Sequence, residues 1–146
     1  MRFGLLIYGD LADQSGGYLY DRKLVDHLGA NGHTVDLISL PWRSYVRHLG
    51  DNLNAALFHR LHNLDVNLLL QDELNHPSLF DLNPRLRAEV KYPIISIVHH
   101  LRSSEQHPWP LLPLYRTVER RYLASVDGFI FNSATTQRVV QEFIDV

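Results

Sequence analysis

An α/β fold built on a mainly parallel sheet is predicted by two features of the sequence. Short runs that are apolar almost throughout recur along the chain, and amphipathic stretches with helical spacing lie between them. The runs are FGLLIY (3–8), TVDLISL (34–40), VNLLL (66–70), PIISIV (93–98) and GFIFN (128–132). Continuous apolarity fits strands covered on both faces, and strand alternating with helix fits βαβ crossovers. The expectation is a Rossmann-like, three-layer α/β/α domain with a doubly wound sheet.

The elements follow in order. The first run reads as a buried strand rather than a secretion signal, because it spans only Phe3 to Tyr8 and no small-residue cleavage site follows. Tyr20, Leu24, Val25 and Leu28 make the first helical stripe. TVDLISL alternates more than the other runs and belongs nearer an edge of the sheet. Tyr45, Leu49, Leu53, Leu57 and Leu61 predict one helix from their i, i+4 spacing. Pro84 interrupts the segment 78–90, which predicts one short helix or two turns there. HPWPLLP (107–113) reads as a loop leading into a helix carrying Leu114, Val118 and Tyr122. The last stripe, Val139, Val140, Phe143 and Ile144, follows Ser133 as its N-cap.

Composition narrows the function classes. A chain of 146 residues with 45% hydrophobic and 21% charged residues fits one soluble domain, 1–146. The formal net charge of −2 supplies no basic field for nucleic acid, so no nucleic-acid partner is expected. Without cysteine there is no disulfide, thiolate nucleophile or thiolate metal site, which is compatible with a cytoplasmic setting. No run approaches the roughly 20 apolar residues of a membrane span.

Ligands of open parallel sheets bind beyond the carboxyl ends of the strands, so the loops that follow the strands are the places to search. Gly16 and Gly17 open the first helix, where bare backbone N–H groups and the helix dipole suit an anion, although two glycines equally suit a tight turn. Asp72 and Glu73 follow the third strand; as adjacent residues they point apart and do not make a two-carboxylate glycosidase pair. His99 directly follows the fourth strand, placed to donate to a substrate hydroxyl or to move a proton, or simply to cap the strand end. His100, Arg102 and His107 lie close by in sequence. Metal spacing is not indicated: there is no H-E-x-x-H, and His59-x-x-His62 lies on another helix. Trp42 and Trp109 suit stacking on a sugar ring, or the core.

Four segments in this order resemble the N-terminal domain of GT-B glycosyltransferases, in particular the retaining family 4. They are the glycine pair after the first strand; Leu24, Leu28, Gly32, His33 and Val35 within LVDHLGANGHTVDLISL; PIISIVHHL; and VDGFIFNSATTQRVV. The resemblance runs from Met1 to about Val140. It implies transfer of a sugar from a nucleotide-sugar donor to a sugar, lipid or other acceptor, with no metal or other cofactor. It implies that Gly16 and Gly17 lie near the donor diphosphate, that His99 contacts the transferred sugar, and that Glu73 and Arg102 face the acceptor. His100 is the alternative to His99. The family's second domain, which carries E-x7-E and a basic pair and holds the nucleotide sugar, has no counterpart before Val146. The expectation is therefore an acceptor-side half that is inactive until a second domain is supplied in cis or by a partner chain. Its 9–17 loop is expected to be mobile without that domain. The expected location is the cytoplasm, with peripheral attachment to the membrane face as the alternative. Two further readings remain: a non-catalytic carbohydrate- or nucleotide-binding module, and a flavodoxin-like binder of flavin, nucleotide or phosphate.

Overall fold

A computed structural model of the chain describes residues 1–12, 16–105 and 110–145. Five strands form one all-parallel sheet in the order β2-β1-β3-β4-β5: β1 Arg2–Tyr8, β2 Thr34–Leu40, β3 Leu68–Asp72, β4 Ile94–Val98 and β5 Gly128–Phe131. The helices are α1 Gly16–Ala30, α2 Tyr45–Leu49, α3 Ala55–His62, α4 His76–Leu79, α5 Leu82–Arg87, α6 Leu112–Leu123 and α7 Ala134–Ile144. The architecture is the Rossmann-like three-layer α/β/α fold that the alternating pattern predicts, with β2 at an edge. No helix among the described residues is long and apolar enough to cross a membrane.

Side-chain alternation along each strand builds two cores. On one face Leu5 and Ile7 of β1, Leu70 and Ile97 are closed by Tyr18, Tyr20, Leu24 and Val25 of α1. On the other, Leu6, Ile38, Leu69, Ile94 and Val98 meet Leu57 and Leu61 of α3, Leu82 and Leu86 of α5, Tyr122 of α6 and Val140 of α7. The first helix stops at a glycine turn. Gly32 has φ of 82° and the N–H of His33 donates back to the carbonyl of Leu28 at 3.0 Å, a Schellman-type stop. Ser133 caps α7 through the N–H of Thr136.

Two elements differ from the prediction. The stripe 45–61 is not one helix: α2 ends at Leu49, a 3-10 turn covers Gly50–Leu53, and Asn54 starts α3 by accepting from the N–H groups of Ala56 and Leu57. Asp51 and Asn52 turn inward and Leu53 is left 83% exposed, so polar tertiary contacts outweigh the apolar period here. The third strand runs from Leu68 to Asp72 rather than 66–70. Pairing with β1 and β4 carries it past the apolar run, and Gln71 is buried by a reciprocal amide pair with Asn83 at 2.9 Å. Around Pro84 the chain makes the short helices α4 and α5.

Candidate functional site

The strand order turns back between β1 and β3: β1 leads left through α1 to β2, and β3 begins the rightward series. At such a switch point the loops diverge and leave a crevice at the carboxyl edge. The groups converging there come from the ends of β1, β3 and β4 and from the first turns of α1.

His99, just past β4, points under α1. Its Nε2 lies 3.4 Å from a carboxylate oxygen of Asp21 and 3.7 Å from one of Asp72, and its ring meets Tyr20 edge-on at 5.3 Å. Asp21 is fully buried one turn into α1, and Asp72 ends β3 with its other oxygen accepting the N–H of Leu74 at 2.9 Å. Burial works against a charge on His99, but Asp21 and Asp72 outweigh it and push the imidazole up to about 9. Asp21 is itself raised to about 7, first by burial and then by the Asp72 carboxylate. For Asp72 burial is overcome by His99, Asp21 and the Leu74 amide, which hold it below the usual carboxylate range. At neutral pH the trio is an imidazolium sharing two acids. Both carboxylates and the Nε2 side of the ring are buried, so what the trio offers a ligand is the exposed part of the His99 ring.

A second buried trio sits beside it. His76 donates from Nδ1 to the backbone carbonyl of Glu73 at 2.9 Å, leaving Nε2 to accept from the Tyr45 hydroxyl at 2.9 Å. Burial keeps this imidazole neutral, lowered to about 4. Burial and the facing Glu119 push Glu73 well above its usual range. Burial opposes a charge on Glu119, yet Glu73, His76 and Ser103 hold it below its usual range. Its carboxylate accepts from the N–H of Arg102 at 2.7 Å, the N–H of Ser103 at 3.0 Å and the Ser103 hydroxyl at 2.7 Å, so α6 fixes the turn after β4. Each trio brings three potential metal-ligand atoms within 4.8 Å of one another. Among the described residues, both Asp21 oxygens, Glu73 Oε1 and His99 Nε2 are buried without a hydrogen-bond partner.

Beside these trios a pocket of about 270 Å³ opens between the end of β1, the 42–48 segment and Arg102. Trp42, 52% exposed, tilts over Tyr8 with ring centroids 5.0 Å apart, and Tyr8 stacks on His48 at 4.0 Å. His48 is locked in one tautomer, since Nε2 accepts from the N–H of Arg43 at 3.1 Å and Nδ1 donates to Asp51 at 3.2 Å. A wider depression of about 440 Å³ lies at the amino edge, lined by Met1, Arg2 and Asp65 among others, and none of the predicted site residues reaches it.

The structure therefore gathers most of the predicted site at one edge. His99 lies within the trio, with Asp21 only one turn beyond the Gly16–Gly17 start of α1. Arg102 lines the pocket, its guanidinium over the rings of Tyr45 at 4.8 Å and Tyr115 at 4.7 Å. Glu73 is 3% exposed and faces His76 and Glu119 instead of the pocket mouth. His100 is exposed and pairs with Glu105 at 2.5 Å, so the histidine doublet resolves to one inward and one outward ring. The readings of His107, Trp109 and residues 13–15 of the 9–17 loop fall outside the described residues. Asp21 and Glu119 escaped the sequence reading. They did leave a signal: each is a carboxylate standing on the apolar stripe of its helix, Asp21 with Val25 and Leu28, Glu119 with Tyr115 and Tyr122. No protein-family model and no curated protein matches the sequence.

Proposed function

We propose that the chain is the acceptor-side half of a retaining GT-B glycosyltransferase of the family 4 type, transferring a sugar from a nucleotide-sugar donor to an acceptor held at the carboxyl edge. The observation that carries this reading is the His99 trio beneath the start of α1. A protonated imidazole buttressed by Asp21 and Asp72 is a fixed hydrogen-bond donor for a sugar hydroxyl. The 15-residue α1 opens on Gly16 and Gly17, so backbone N–H groups and the helix dipole suit the diphosphate that departs. Transfer in this class takes place between two domains whose closure excludes water, so the second domain and its nucleotide-sugar site belong to the same proposal. No metal is required, because backbone dipoles and cations stabilise the departing diphosphate. Location in the cytoplasm or at its membrane face accompanies this reading.

The test joins the 146-residue chain to a GT-B nucleotide-sugar domain and follows sugar transfer. His99→Ala should lower kcat by about 10²-fold or more while the chain alone shows no turnover. Turnover unchanged by His99→Ala would remove the histidine from the reaction.

The strand order 2-1-3-4-5 favours a second reading, since this is also the order of flavodoxin-like binders, whose ligand sits at the β1/β3 switch point. That reading requires tight flavin or nucleotide binding by the isolated chain, which calorimetry measures directly; the transferase reading requires weak binding or none.

A further inference from the structure

The pocket beside the trios has a chemistry that the transferase reading leaves open. Its floor is aromatic, with Trp42 exposed over Tyr8 and Tyr45 at the side. An exposed indole braced from beneath offers a flat apolar face to a sugar ring at little conformational cost. Two guanidinium groups line the same space, and they are held differently. Arg102 is fixed: its backbone N–H is pinned by Glu119, and its guanidinium stacks on Tyr45 and Tyr115, rings themselves packed edge-on at 4.6 Å. Arg43 is half-exposed and touches Asp51 only at 3.4 Å. That carboxylate is already shared with His48 and with the Ser78 hydroxyl at 2.7 Å. Asp51 is thus held mainly by groups of the protein, while Arg43 and Arg102 both line the pocket.

A pocket of about 270 Å³ lies just below the roughly 300–1,000 Å³ that accommodates drug-sized ligands, so it suits a single ring with one substituent. Planar guanidinium groups recognise the oxygens of a phosphate or carboxylate in pairs. We infer that this pocket binds a monosaccharide unit carrying one anionic group, a phosphomonoester or a carboxylate, with the ring on Trp42 and the anion between Arg43 and Arg102. As the acceptor pocket it rests on the transferase reading; as a binding site it stands without it.

Calorimetric titration of the 146-residue chain with glucose 6-phosphate, glucuronate, glucose and inorganic phosphate tests the inference. Glucose 6-phosphate or glucuronate should bind saturably below about 5 mM, and whichever binds more tightly identifies the anionic group. Glucose and inorganic phosphate should each bind at least about tenfold more weakly, because each offers only half of the contacts. Trp42→Ala and Arg43→Gln, both at exposed side chains that leave the fold in place, should each weaken binding by about tenfold. Equal affinity for glucose, equal affinity for phosphate alone, or no saturable binding of either anionic sugar would overturn the inference. So would unchanged affinity in both variants. Saturable binding without transfer in the two-domain fusion would sink the transferase reading and leave the pocket assignment standing. Transfer to neutral acceptors alone, with no binding of anionic sugars, would do the reverse.

Discussion

Replacing Asp21 by Asn removes one of the two carboxylates that hold His99 while keeping the side chain's shape, and its effect can be worked from the distances. Two unit charges 3.4 Å apart attract by about 5 kcal/mol at an effective dielectric of about 20. The full value is not available to His99. Asp21 is raised to about 7 and so is only half charged near neutrality, and the His99 ring keeps 16% of its side chain in solvent, which screens the pair. Asp72 remains at 3.7 Å in the variant. The expected net change is a fall of about one to two units in the histidine's midpoint, each unit being about 1.4 kcal/mol. The two sites interact strongly enough to titrate as a pair. The wild-type chain should therefore show two steps at the His99 ring carbon, near 7 and near 9, in a pH series of proton–carbon NMR spectra. Asp21→Asn should show one step, at about 7 to 8. Two steps persisting in the variant, or a wild-type midpoint at the ordinary histidine value, would refute the trio as described.

The same trio sets a stability slope. His99 is raised, so its contribution is complete below the unfolded value of 6.5 and is lost as pH rises through about 9; Asp21, raised to about 7, makes stability fall across the interval from 3.8 upward. His76, lowered to about 4, works the other way but has finished by pH 6.5. The melting temperature should thus decline from pH 7 to 9.5, and His99→Gln should flatten that decline; an equal slope in the variant would assign it elsewhere. Asn52→Ala should cost about 3–5 kcal/mol, because its buried amide donates to the carbonyls of Leu49 and Pro77 and accepts the N–H groups of Asp81 and Leu82, tying the 3-10 turn to α4 and α5. A loss under about 1 kcal/mol in urea unfolding would show that water replaces those bonds.

How much of this was legible in the sequence depended on the range of the forces involved. The strands and α1, α6 and α7 could be read because burial on a periodic face is a local pattern. The parallel sheet followed from the alternation of strands and helices, and the edge position of β2 from its alternating pattern. The single helix expected over 45–61 failed because its apolar period was real but Asp51 and Asn52 had partners 25 to 30 residues away, in Pro77, Ser78, Asp81 and Leu82. Nothing local announces such partners. His99 and Arg102 were expected at this edge because the edge rule names the loops that follow strands. The direction each side chain takes was hidden, so Glu73 was expected at the ligand and lies buried against Glu119.

The two residues that best explain the site, Asp21 and Glu119, interrupt otherwise apolar helix stripes, and the reason follows from the cost of burying charge. A carboxylate at 0% exposure persists only if something opposite repays its lost hydration. For Glu119 the partner is the backbone of the 102–103 turn, so the charge fixes a loop. For Asp21 no hydrogen-bond donor among the described residues meets either oxygen, and the nearest positive group is the His99 imidazole at an ion-pair distance. An interaction that served stability alone would be expected to close to a hydrogen bond, as Glu119 does at 2.7 Å. The open geometry of the trio leaves both Asp21 oxygens buried without a hydrogen bond, so their lost hydration is repaid by the His99 imidazolium at ion-pair distance. In this fold a carboxylate on an apolar stripe near the carboxyl edge therefore either braces a loop, as Glu119 does, or pairs with a buried imidazole, as Asp21 does, and the hydrogen bonds already made tell the two apart.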